Sequence, residues 1–259
     1  MATVTSVNFL FNKNDQKMTS SVEGLQTALE EIGTELVQAV DALQFEQGWR
    51  QQSLMQQIVI IQRNARAQLN IMGWDKVATK FIGSYNEVEL LGKQVLGALG
   101  RDLILKLPQR ADTIENLKAL DLDQFDAYGN QAIRALSKEV ALNTIVGKPR
   151  SAVIKSMTQI MDGNVEAATQ YADTSIRLFD RTVNGQLYEE AGIDTYCYFG
   201  PKDKVTRPFC LAHVGKIYTR ADIKKMNNGS AKFGNVWLYG GGPRCRHTWQ
   251  PRPEATSND

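Results

Sequence analysis

The sequence changes character at Gly192, and that change limits what the chain can fold into. Upstream, apolar residues recur every three or four positions. Leu25, Leu29, Ile32, Leu36, Val40 and Leu43 form one stripe, and Leu54, Ile58, Ile61, Ala65 and Leu69 resume it. Such steps are the period of an amphipathic helix. Downstream, aromatic, glycine, proline and β-branched residues interleave with charge, which suits short strands joined by turns. Five of the seven prolines follow Gly192, as do all three cysteines (Cys197, Cys210, Cys245) and both histidines (His213, His247). The predicted fold class is therefore mainly α, an elongated helical body with a small α+β, Cys/His-containing C-terminal module.

Four segments are expected: an extended N-terminal arm over 1–18, a helical body over 19–192, the module over 193–251 and a disordered tail over 252–259. The arm is polar apart from Val4, Val7, Phe9, Leu10 and Phe11, which either fold back on the chain's own helices or order against a partner subunit. Ser20 and Ser21 read as N-caps of the first helix, with Glu23 complementing its dipole. Gly48 is a candidate break and Gly73 ends the region. A further helical stretch over 74–100 carries Gly83, Gly92, Gly97 and Gly100. Pro108 reads as a helix stop, Asp123 as a cap, and Gly147 with Pro149 as a boundary. Asp162-Gly163-Asn164 then precedes a long helix from about Val165 to Glu190. In the module, Thr195–Phe199, Lys216–Thr219 and Arg246–Gln250 are predicted extended, and Arg220–Asn227 a short helix.

No run of 18 apolar residues occurs, so no membrane span is predicted. The first thirteen residues lack the basic and apolar regions of a signal peptide. An odd, low cysteine count argues against a disulfide framework and for synthesis in a reducing cytosol. Residues 197–252 carry eleven Lys and Arg against Asp203 and Asp222, a balance of +9, while the rest of the chain carries a balance of −7. A basic block points to phosphate or to an acidic protein surface. Arg207, Lys216, Arg244 and Arg246 are the candidate contacts to double-stranded DNA, without sequence preference; the alternative is a solvated basic face.

The cysteines and histidines fall into two half-sites. Cys210-Leu-Ala-His213 allows two ligands to converge from one turn. Cys245-Arg-His247 puts residues i and i+2 on one side of an extended segment. Together they make a Cys2His2 set suited to zinc, with Cys197 as an alternative ligand, and a module with little core of its own gains from such a staple. The competing reading is three buried thiols and two hydrogen-bonded histidines. Asp203 and Arg207, four apart, are expected to pair locally. Tyr239-Gly240-Gly241-Gly242-Pro243 lacks the ending of a phosphate loop and reads as a turn that returns Cys245 to Cys210.

Read in order, Asp203, Thr206-Arg207, Cys210, Gly215-Lys216-Ile217-Tyr218, Gly240-Gly241-Gly242-Pro243 and Cys245-Arg246-His247 resemble the C-terminal signature of the Mu-F-like head morphogenesis family of phage minor head proteins. The helical run Tyr171–Asn184 is similar to the helix that precedes that signature. The resemblance covers roughly residues 145–251 and is specific in the last 55 of them. Ile217, and Asp173 in the helix, depart from the pattern. The resemblance implies a virion structural protein present in few copies. It would be made in the host cytoplasm and placed in the head or at the head–tail vertex. It would act in head assembly with the portal or major capsid protein and contact packaged DNA. The alternative from the residues alone is a zinc-dependent nuclease or other metalloenzyme. Against it, the chain contains neither the H-x-E with P-C-x-x-C pattern of deaminases nor an H-E-x-x-H. A stand-alone nucleic-acid-binding module is a third reading, but no finger, helix-turn-helix or RNP signature occurs.

Overall fold

The apolar stripe of the first helix begins earlier than the sequence suggests. In the computed structural model, which describes residues 4–43, 53–100 and 108–252, helix α1 spans Val4–Leu43. Its buried positions run Val7, Phe11, Asn14, Met18, Val22, Leu25, Leu29, Ile32, Leu36 and Val40, in steps of three and four throughout. The expected extended arm is thus corrected to helix from Val4 onward, and Ser20 and Ser21 lie inside α1 rather than capping it. Asn14 hides the continuity: it occupies a core position and donates to the Asp180 carboxylate at 2.8 Å.

Helix α2 (Leu54–Met72) opens with a capping box between Ser53 and Gln56 and ends at Gly73, whose φ of 86° turns the chain left-handed. α3 (Trp74–Gly83) and α4 (Tyr85–Ala98) follow. α5 (Pro108–Val146) starts at the proline expected to stop a helix, because proline fits a first turn that has no amide partner to lose. Asp123 lies within α5 and caps nothing. α6 (Arg150–Glu190) runs unbroken through Asp162-Gly163-Asn164. One interior glycine costs about 1 kcal/mol, little against the burial of Met157, Met161 and Val165 around it. Gly48 and the expected tail from residue 253 lie outside the described residues. No described helix is long and apolar enough to cross a membrane.

The chain divides into two compact units, each built from separate stretches. One comprises Ser21–Ile82 and Lys118–Tyr171 and is wholly helical where described. Its core joins the α1 stripe from Leu25 to Val40 with Ile61, Phe125, Leu136, Met157 and Met161. Phe81 and Tyr171 meet Phe125 edge-on, and Arg150 grips the Asp41 carboxylate at 2.6 Å.

The other unit comprises Met1–Ser20, Gly83–Leu117 and Ala172–Asp259. It contains strands β1 (Thr195–Phe199), β2 (Ile217–Thr219) and β3 (Thr248–Pro251) and short helices α7 (Pro208–His213), α8 (Arg220–Lys225) and α9 (Val236–Tyr239). The sheet is antiparallel in the order β2-β1-β3, with Tyr198 opposite Trp249. Its core packs Tyr196, Tyr198, Trp237 and Trp249 with Val7, Phe11, Leu96 and Leu187. The mainly α class with a small α+β, Cys/His-containing C-terminal module, expected from the change at Gly192, is the observed one, and its three strands pair antiparallel.

Within this unit α4 and α6 meet at Gly92. A Cβ placed there would lie 1.7 Å from Oδ1 of Asn184, and Asn184 is held by its bond to Asp180 at 2.6 Å. Gly→Ala in a helix ordinarily gains about 1 kcal/mol, whereas forcing an atom into a packed contact costs about 1–3 kcal/mol. Gly92→Ala is therefore expected to lower the chemical-denaturation midpoint. A raised midpoint would show that the helices separate freely at this point.

Candidate metal centre in the C-terminal module

The module's motif residues are gathered by short contacts that bridge distant parts of its sequence. Pro208 at the first turn starts α7 immediately after Arg207, and this one-and-a-half-turn helix presents Cys210 inward. Residues 245–247 then lead into β3 with alternating exposure, so Cys245 and His247 point inward and Arg246 does not. The Arg207 guanidinium donates to the Pro243 carbonyl at 2.6 Å, and Arg246 pairs with Asp203 at 2.5 Å. Asp203 therefore pairs across the module, not with Arg207 as its spacing suggested. This contact, with the Thr206 hydroxyl, holds the Asp203 carboxyl below the usual carboxylate range.

Cys210, Cys245 and His247 form a buried group that could hold a metal ion, and no other such Cys/His/Asp/Glu group occurs among the described residues. The sulfurs are 3.6 Å apart, and Nδ1 of His247 is 3.8 Å from the Cys245 sulfur. For a tetrahedral ion with metal–sulfur bonds near 2.3 Å and metal–nitrogen bonds near 2.1 Å, the matching edges are about 3.8 and 3.6 Å. These two edges match a single ion, and all three donor atoms lie within 4.8 Å of one another. All three residues are free thiols or imidazole, and the cysteines form no disulfide.

The surroundings favour negative charge on one sulfur. Cys245 is held well below the usual thiol range, first by the hydrogen bond from Cys210 and then by His247, Arg181 and Tyr198. Cys210 keeps its proton, pushed up by that same bond and by burial. The Gly241 amide donates to the Cys245 sulfur at 3.3 Å. A Cβ at Gly241 would sit 2.4 Å from the Cys210 sulfur, so the glycine run brings backbone against both sulfurs where any side chain would collide. The expected return turn has this second role.

His213 and Cys197 do not join the group. His213 turns its Nδ1 to the Tyr218 hydroxyl at 2.7 Å and packs on Phe209. Burial, and then Lys216, push its pKa down. Cys197 lies on β1 and contacts the Tyr198 carbonyl. Of the candidate DNA contacts, Arg207 and Arg246 are engaged as above and Arg244 binds Asp173 at 3.1 Å, while Lys216 is exposed.

Two residues at the site were not found by sequence reasoning. The Tyr198 hydroxyl lies 3.5 Å from the Cys210 sulfur and 3.4 Å from that of Cys245. Arg181, buried on α6, donates to the carbonyls of Leu238 at 2.9 Å, of His247 at 2.6 Å and of Cys245. Its signal was present: Asp173, Arg177, Asp180, Arg181 and Asn184 recur on one helical face, a pattern ordinarily read as solvated.

Comparison with protein-family models, curated proteins and solved structures returns no match to this chain.

Proposed function

We propose that the chain is a structural component of a phage head, acting in head assembly near the portal or inner capsid surface, with a C-terminal module closed by zinc. One observation carries the reading. The signature residues bond to one another: Asp203 to Arg246, Arg207 to the Pro243 carbonyl, Cys210 to Cys245. Residues used in this way build a clasp, with their polar groups taken up by one another. That supports an assembly role over a catalytic one. Zinc suits the donor set because it accepts thiolate and imidazole in four-coordinate geometry and has no redox chemistry to damage the thiols.

The metalloenzyme alternative gains no support from the site. A catalytic zinc keeps a position open to substrate, and Cys210, Cys245 and His247 are only 1%, 2% and 2% exposed.

The partners proposed are the portal or major capsid protein and, through the basic module, packaged DNA. With three arginines engaged internally, contact with phosphate falls to exposed lysines, among them Lys202, Lys204, Lys216 and Lys224. If about four phosphates are neutralised, log K should fall against log salt with a slope of about −3.6. A filter-binding titration checks this; sequence-selective binding, or none at low salt, counts against the DNA contact. For the assembly role, electron microscopy of purified heads is expected to place the chain at a vertex or on the inner capsid surface. Heads that assemble fully and never contain the chain would overturn the proposal.

A further inference from the structure

We infer that the phenolate oxygen of Tyr198 is the fourth ligand of the ion held by Cys210, Cys245 and His247. The inference rests on the metal reading above and replaces His213, the fourth ligand suggested by the C-x2-H spacing. A four-coordinate ion with metal–oxygen bonds near 2.0 Å sets oxygen–sulfur edges of about 3.5 Å. The Tyr198 hydroxyl stands at 3.5 and 3.4 Å from the two sulfurs, which are themselves 3.6 Å apart. The tyrosine ring stacks on that of His247, with centroids 5.2 Å apart and planes 14° from parallel.

The hydroxyl is also fixed in place. Tyr198 is wholly buried on the central strand, with Trp249 opposite it in register. Gly240 backs the hydroxyl so closely that a Cβ there would be 2.8 Å from it and 2.9 Å from the Cys245 sulfur. A water molecule would have to displace the ring to take the fourth position. His213 is turned away to Tyr218.

Binding would release the proton of the Cys210 thiol and that of the phenol to solvent, the Cys245 sulfur already favouring the thiolate. Two thiolates and a phenolate exceed the charge of a divalent ion by one. The Arg181 guanidinium, bonded to the carbonyls of Cys245 and His247, supplies the compensating charge. A sphere filled in this way has no exchangeable position, so the ion acts as a staple.

The test titrates the full chain with zinc and, in parallel, with cobalt. The expected result is a near-ultraviolet tyrosinate difference band that rises with zinc to one tyrosine per ion, together with thiolate-to-cobalt charge transfer. Tyr198→Phe should abolish the tyrosinate band, retain the thiolate transition and weaken binding about tenfold or more. Thiolate charge transfer without a tyrosinate band in the unsubstituted chain would overturn the Tyr198 assignment and leave the metal centre standing. Neither signal would overturn both. If Tyr198→Phe does not fold, the unsubstituted titration still decides whether a tyrosine ligates. Retention of the band in Tyr196→Phe, Tyr218→Phe and Tyr239→Phe then assigns it within the module, and its loss in any of these overturns the assignment.

Discussion

Replacing Cys245 by serine is expected to unfold the C-terminal module while leaving the wholly helical unit intact. Cys245 is the hub of the group, in contact with Cys210, His247, Tyr198 and the Gly241 amide. Loss of a structural zinc removes on the order of 10 kcal/mol of site free energy, as much as the whole stability of a typical domain. Chelation of the unsubstituted protein should have the same effect. Hydrogen exchange over residues 195–251 reads the unfolding, and elemental analysis should find about one zinc per chain. A module that stays protected with less than about 0.2 zinc per chain would refute the metal reading and leave packed thiols in its place.

The second large effect is expected at Arg181. Its guanidinium bonds to three backbone carbonyls of the segment that contains the glycine run and Cys245. Arg181→Met keeps much of the volume and strips all three acceptors of their donor. Each buried group left unpaired costs about 1–3 kcal/mol, so for three acceptors a loss of about 3–9 kcal/mol is expected. Arg181→Lys should recover less than half, because an ammonium lacks the planar fork that reaches several acceptors at once. Equilibrium denaturation measures both. Equal stability of the lysine variant and the original chain would show that charge alone matters there.

The strands of the module and α8 were legible to within two residues because turn residues punctuate it, whereas the short helices α7 and α9 were not. Thr195–Phe199 is extended as expected, and α8 begins at Arg220 beside a capping box of Thr219 and Asp222. The body was legible where the stripe is purely apolar, as from Leu25 to Val40. It was misread where a polar residue holds a core position, as Asn14 does, or where glycine and proline sit inside or at the start of a helix, as Gly163 and Pro108 do. Local propensity is weak beside tertiary burial at such places.

The site shows the same division. Residue type and spacing pointed to Cys210, Cys245 and His247, which the fold gathers. The spacing that proposed His213 describes a neighbour along the chain, and on α7 that neighbour is captured by Tyr218. Tyr198 comes from another strand, and only sheet register and the turn at Gly240 bring it to the sulfurs.

The clasp joins positions 35 residues apart through Cys210 and Cys245. Closing a chain loop grows costly only with the logarithm of its length, so doubling the enclosed segment adds about 0.6 kcal/mol. The fastening is thus nearly indifferent to how much chain it encloses. The exposed bend around Gly229 to Lys232 lies inside that enclosure, away from both ends. A lineage could lengthen or replace the bend while the fastened ends stay as they are.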